Sequence, residues 1–250
     1  MKRYVLAITM VFFVFPAFAT VTAMLDARDT GTAIIFFEAG KELGRELYDT
    51  DGSYKSTKGN IPDGVYKFNY RDGKTTRFEY TYKDGMKVAA KVYTRKGLND
   101  YDAEYVNRIL QGKKNMYYKD GTLRQTVTYK KGKKDGVSIS YHENGKKECE
   151  ENYKENERQG KRTTYYLDGT IEAEENYKND AFDGLCKKYW ENGKVKEEIT
   201  YKSGTAVGPY KIYYENGKIE VDANYVNGIV TGKVRRYDPD GKLVSEEIQK

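Results

Sequence analysis

A period of 24 residues constrains this chain more than any other feature. The hexapeptide Tyr141-His142-Glu143-Asn144-Gly145-Lys146 returns as Tyr189-Trp190-Glu191-Asn192-Gly193-Lys194 and again as Tyr213-Tyr214-Glu215-Asn216-Gly217-Lys218. Turn glycines stand at Gly40, Gly73, Gly97, Gly121, Gly145, Gly169, Gly193, Gly217 and Gly241. Every step after Gly73 is 24 residues, whereas Gly40 to Gly73 is 33, which reads as a loop insertion around Asp49 to Asp63. A second glycine precedes the turn glycine by nine residues in every unit but one, where Val88 stands, and a Tyr follows it by eight in most. A period this short cannot hold a domain. It holds one supersecondary unit that buries its face against its neighbours.

The unit is a pair of strands. The chain has 25 Tyr and 24 Gly but only 4 Pro, which suits strands joined by tight turns. Second strands alternate, as in Ile219, Val221, Ala223, Tyr225 against Lys218, Glu220, Asp222, Asn224. That is the period-two pattern of a sheet with one drier and one wetter face. Nowhere does a helical period emerge. Asn-Gly between such strands predicts a two-residue type I′ turn, with a looser turn at the other end. That register pairs Tyr166 with Ile171, Trp190 with Val195, Tyr214 with Ile219 and Tyr118 with Leu123. It sends Tyr117, Tyr141, Tyr165, Tyr189, Tyr213 and Tyr237 to the opposite, more polar face as a tyrosine ladder, the candidate binding face. Gly121, Gly145, Gly169, Gly193, Gly217 and Gly241 are the structural turn residues. The expected fold is an all-β, elongated, twisted antiparallel β-hairpin array of about nine hairpins and about eighteen strands at roughly 4.8 Å spacing.

The amino terminus reads as a processing signal. Lys2 and Arg3 precede an apolar run from Tyr4 that ends in Ala17-Phe18-Ala19, the pattern of a secretory leader. Residues 1–23 are therefore expected to be a signal peptide, cut after Ala19 or Ala23, or else an uncleaved membrane anchor. Residues 24–250 form a single repeat domain, exported to the periplasm, outer surface or medium. Export makes the two cysteines worth placing. Cys149 and Cys186 fall on strands with two others between them, about 14 Å apart at strand spacing, too far for a disulfide. Two free thiols are expected.

The composition excludes several chemistries. The net charge is +6, and Lys2 and Arg3 supply two of those charges. The remaining Lys and Glu are interspersed without a basic block, so nucleic acid is not an expected partner. The lone His142 occupies the slot of Tyr166 and Trp190 and reads as structural. One His and two separated Cys make no zinc set. The Asp-Gly and Asn-Gly pairs lack the acids that calcium needs. Glu150-Glu151 and Glu174-Glu175 are consecutive on strands and face opposite sides. Neither a phosphate-binding glycine loop nor a nucleophile signature occurs. No cofactor, metal or catalytic residue is expected.

Units of Tyr-Tyr-Glu-Asn-Gly-Lys followed by an acidic strand and a Tyr resemble the variant MORN (membrane occupation and recognition nexus) repeat of bacteria, from about Gly31 to Lys250. Proteins of this kind are commonly labelled YwqK-family antitoxin components of toxin–antitoxin systems. The resemblance implies a β-hairpin array without catalysis that recognises a protein or a membrane surface. The functional expectation is a non-enzymatic, secreted or surface-anchored scaffold binding a macromolecule through one sheet face. A protein is the expected partner, with a cell-surface glycan or membrane surface as alternatives. The other reading is an antitoxin or immunity-type protein that neutralises a toxin by direct binding.

Overall fold

The computed structural model describes residues 5–6, 21–28, 31–50, 54–70 and 73–250. Among them every regular element is a β-strand, and the ladders are antiparallel hairpins. The leader expected at 1–23 lies mostly outside the described residues. Its last three residues open the strand Val21–Arg28, which had not been foreseen. The expected repeat domain 24–250 is laid out as two compact units, Met1–Leu123 and Arg124–Lys250.

In the first unit, Val21–Arg28, Gly31–Glu38, Lys41–Tyr48 and Tyr54–Gly59 form a meander. The stretch expected to be an inserted loop thus contains a strand, paired from Tyr48↔Tyr54 to Gly44↔Gly59. Its Tyr-Lys-Ser-Thr-Lys-Gly sequence has no apolar period to betray it. The main chain carries the pairing, and a Cβ on Gly59 would lie 2.3 Å from the Leu43 carbonyl oxygen. A second sheet starts at Gly64–Asn69 and runs through Thr76–Lys83, Met86–Tyr93, Asn99–Val106 and Ile109–Tyr117. The core of this unit lies between the two sheets, around Phe36, Ile61, Tyr66, Phe68 and Tyr82.

In the second unit each strand pairs with the next from Leu123–Lys130 to Leu243–Gln249. The period is as expected, but the two turn classes are exchanged. At the Asn-Gly end Tyr166 N–H donates to Thr170 O (2.8 Å) and Gly169 N–H to Tyr166 O (2.9 Å), and this pair of bonds recurs in the turns of Gly97, Gly121, Gly145, Gly193, Gly217 and Gly241. This is a three-residue loop, a type I turn closed by a left-handed glycine. Asn192 keeps a negative φ and its Oδ1 accepts the Lys194 amide (2.9 Å), while the six glycines from Gly121 to Gly241 have φ between 80° and 92°. An extra residue on the second strand then shifts the ladder. Tyr165 pairs with Ile171, Tyr189 with Val195 and Tyr213 with Ile219. The expected partners Tyr166, Trp190 and Tyr214 instead sit in the turn, as does Tyr118, whose N–H bonds Thr122 O.

The type I′ turns are at the other end. Asn179-Asp180 (φ 50° and 63°), Ser203-Gly204 (48° and 82°) and Asn227-Gly228 (51° and 82°) join strands in two residues. Ala39-Gly40 (48° and 80°) belongs to this class. Gly40 therefore belongs to the other turn class than Gly97 to Gly241, and the long step after it holds the strand Tyr54–Gly59.

Side chains tie each type I turn from Gly145 to Gly217 to the next. The aromatic three residues before the glycine donates to a main-chain carbonyl 23 residues on: Tyr166 Oη to Tyr189 O (2.7 Å), Trp190 Nε1 to Tyr213 O (3.0 Å), Tyr214 Oη to Tyr237 O (2.8 Å). His142 Nε2 takes the same place against Tyr165 O (3.1 Å), which fixes its N–H on that nitrogen. Asn192 Nδ2 donates to Glu215 O (3.0 Å) and Lys194 Nζ to Asn216 O (3.0 Å), and Asn144, Lys146, Asn216 and Lys218 do likewise. The Gly169 turn has Asp168 and Thr170 in these two places, and neither donates forward: the Asp168 carboxylate accepts the Thr170 amide instead.

Net hydrogen bonds of this kind contribute about 0.5–1.5 kcal/mol each. The double substitution Asp168→Asn, Thr170→Lys is expected to stabilise the chain by about 1 kcal/mol, read as a higher urea midpoint. Tyr166→Phe, which removes only the hydroxyl, should cost about 1 kcal/mol.

Candidate binding faces

The six ladder tyrosines are half-buried and lie on the face opposite Ala173, Cys186 and Ile199. That face is a band of charge. Tyr117 Oη donates to Asp102 (2.5 Å), Tyr189 to Glu174 (2.9 Å) and Tyr213 to Glu198 (2.8 Å). The same carboxylates hold Lys161 on Glu174 (2.5 Å) and Lys187 on Glu198 (2.7 Å). Burial, then the hydrogen bond to the acid, pushes Tyr117, Tyr189 and Tyr213 up to about 12. The Lys161 and Lys187 bonds hold Glu174 and Glu198 below the usual carboxylate range. The hydroxyls of these three tyrosines are spent within the sheet. The main-chain carbonyls of Tyr165, Tyr189, Tyr213 and Tyr237 are the acceptors of the turn-to-turn bonds.

The drier face carries a second aromatic row. Tyr177 stands 4.7 Å from Phe182 and Phe182 stacks 5.0 Å from Tyr201. Lys134 Nζ lies 4.7 Å over Tyr153 and Arg158 4.4 Å over Tyr177. Ring faces in this row are thus covered by their own neighbours. Alongside, Arg162 donates to Glu175 (2.7 Å) and approaches Glu151 (3.7 Å), while Tyr177 and Tyr153 hydroxyls cap those two acids (3.0 and 2.9 Å). Open hollows of about 280 and about 400 Å³ flank Arg162 and Thr164, and a third of about 200 Å³ lies over Phe182, Cys186, Ile199 and Tyr201.

The recurrent Tyr eight after the turn glycine was legible, but its role was not. A usable signal was the break in the row two residues after each type I′ turn, where Lys134, Arg158, Phe182, Ala206 and Val230 follow one another.

In the first unit the equivalent rows are covered by protein. Phe36, with no exposed surface, inserts edge-on between Tyr66 (5.0 Å) and Tyr82 (5.1 Å). Glu46, also fully buried, accepts from Tyr48 (2.6 Å) and Tyr82 (2.7 Å) and pairs with Arg108 (2.9 Å). Arg108 holds a φ of 63° in a type I′ turn where Gly, Asn or Asp stands in the other units. Left-handed backbone at such a residue costs about 1–2 kcal/mol. The buried pair and the bonds from Arg108 to Thr57 (3.0 Å) and Gly85 O (2.7 Å) hold it there.

Cys149 and Cys186 are free. Cys149 pairs with Thr164, Thr164 with Ala173 and Ala173 with Lys188, so two strands stand between the thiols. Among the described residues, no three His, Cys, Asp or Glu side chains are grouped to hold a metal ion, and no helix is long and apolar enough to cross a membrane.

The phenols and carboxylates of the polar face set opposite pH limits. A raised tyrosine pKa keeps its stabilising effect below the unfolded value of 10 and loses it as pH climbs toward 12. A lowered glutamate pKa keeps its effect above the unfolded 4.5 and loses it as pH falls through the folded value. In a spectrophotometric titration Tyr189 should ionise near 12 in the folded chain, and Glu174→Gln should return it part of the way toward 10.

A family model described as MORN repeat variant matches residues 110–131, 134–155, 158–179, 182–203, 206–227 and 230–249. Each match spans one type I turn, from Gly121 to Gly241, and the limits of all but the last fall at the type I′ turns. No curated protein matches the chain.

Proposed function

The chain belongs to the MORN repeat variant family, and from that premise we propose that it is a non-enzymatic, exported scaffold that holds a protein partner on the drier face of its second unit. The family supplies the repeat scaffold. The observation that carries the choice of partner and face is the cover in the first unit. There, the equivalent aromatic rows bury Phe36 and Glu46 from another part of the same chain. A surface that packs on protein in one place, and in another carries half-buried Phe182 and Tyr201 beside a hollow over a small apolar cluster, is suited to a second protein. The polar face is the weaker candidate because its acids, lysines and three of its tyrosine hydroxyls satisfy one another. An antitoxin or immunity-type role is the case in which that partner is a toxin, and the Tyr-Tyr-Glu-Asn-Gly-Lys units are what favours it.

Export rests on the basic start and apolar run of residues 1–23. Of the two candidate cuts, the one after Ala19 leaves Val21–Arg28 whole. A cut after Ala23 removes three residues of that strand, including buried Ala23.

The binding test is capture from a cell-surface fraction by the immobilised full chain. Phe182→Ala and Tyr201→Ala are expected to weaken capture of a specific protein by about tenfold or more, as truncated aromatic anchors do, while Lys161→Ala leaves it unchanged. Loss with Lys161→Ala alone moves the site to the polar face, and capture of no protein refutes the reading. Amino-terminal sequencing of the exported protein should begin at Thr20. A start at Met24 overturns the choice of cut, and an intact Met1 identifies an anchor.

A further inference from the structure

The sequence contains four Asn-Gly pairs, Asn144-Gly145, Asn192-Gly193, Asn216-Gly217 and Asn227-Gly228. Such pairs are chemically fragile, because the unhindered glycine nitrogen can attack the asparagine side chain. All four are exposed, so accessibility does not separate them. The attacking nitrogen does not separate them either: Gly145, Gly193 and Gly217 N–H donate within their own turns, and Gly228 N–H donates to Ala206 O (2.9 Å).

The side chains do separate them. Asn144, Asn192 and Asn216 are held at both ends. Their Nδ2 groups donate to Leu167 O, Glu215 O and Pro239 O at 2.8–3.0 Å. Their Oδ1 atoms accept the amides of Lys146, Lys194 and Lys218 at 2.9 Å. Asn227 sits in the other turn class with a φ of 51°, and among the described residues none bonds its side chain.

We propose that Asn227 is a site of spontaneous deamidation, and that the turn-to-turn bonds protect the other three pairs. In the reaction the Gly228 nitrogen gives its proton to solvent base and bonds to Cγ of Asn227. The bond from Cγ to Nδ2 breaks and ammonia leaves with a solvent proton, closing a five-membered succinimide. Water then opens either carbonyl, giving Asp or isoAsp. For Asn144, Asn192 and Asn216 the side chain must first release two hydrogen bonds before Cγ can reach the glycine nitrogen. That requirement slows them by about tenfold or more relative to Asn227. The product adds a negative charge at the Val226↔Ile229 hairpin end. In the isoAsp form it also lengthens the main chain inside a two-residue turn.

The test ages the folded full chain in mildly alkaline buffer beside a sample unfolded in urea. Tryptic cleavage places the four pairs in four different peptides, and mass spectrometry reads each amide-to-acid conversion. Conversion of Asn227 first in the folded sample, with the four rates converging in urea, is the expected result. Equal rates in the folded chain, or a lead by Asn144, Asn192 or Asn216, overturn the proposal. So does the same lead by Asn227 in urea, which would assign it to neighbouring residues rather than to the bonds.

Discussion

Each type I turn from Gly145 to Gly217 grips the one after it, and the register of the second unit depends on that grip. The carbonyls on the rim of a turn face outward and have no ladder partner. Here they accept from an indole, a phenol, an imidazole, a carboxamide or an ammonium group one repeat away. At the opposite margin the second residue of the type I′ turns from Asn156 to Gly228 donates its N–H backward, as Asp180 does to Arg158 O (3.1 Å) and Gly204 to Phe182 O (2.8 Å). Both margins of the sheet are thereby pinned by bonds that recur with the period. The residues between them are relieved of fixing the register.

That division of labour accounts for the contrast between the two faces. The polar face repeats its own chemistry, with lysine, glutamate and tyrosine neutralising one another across strands. The drier face changes from unit to unit. Arg162 stands between two acids where Cys186 and Tyr210 occupy the equivalent positions further on, and the row beside the type I′ turns passes from Lys134 and Arg158 to Phe182 and Ala206. The drier face thus varies from unit to unit while the turns that frame it repeat. In the first unit the buried Glu46–Arg108 pair adds a polar lock to the apolar cover. A single buried ion pair contributes less to stability than to alignment, since desolvation offsets much of its attraction.

The period, the strand pairing and the two faces were all legible, because alternation and turn residues are local signals. The turn class was not. Asn-Gly taken alone favours a type I′ turn, but Asn192 is committed to the Lys194 amide and to a carbonyl 23 residues ahead. A local rule cannot weigh a bond at that distance. The type I′ turns went to sites such as Asn179-Asp180, where no glycine advertises them. Tyr54–Gly59 escaped because its polar residues carry no alternation, and Glu46 with Arg108 because partners 62 residues apart leave no trace in spacing. The tyrosine ladder lies on the polar face, and the hydroxyls of Tyr117, Tyr189 and Tyr213 are partners of Asp102, Glu174 and Glu198.

The grip between turns has a sense of direction. Donors always lie on the earlier turn and acceptors on the later one, and at Gly241 Asp238 and Asp240 fill the slots of the aromatic and the asparagine. The Asp238 carboxylate accepts the amides of its own turn, from Asp240 and Lys242. A duplicated unit spliced in ahead of that turn would arrive with its own donors for the next and its own acceptors for the last. A longer or shorter array would therefore keep the same hydrogen bonds along this rim, whatever its number of units.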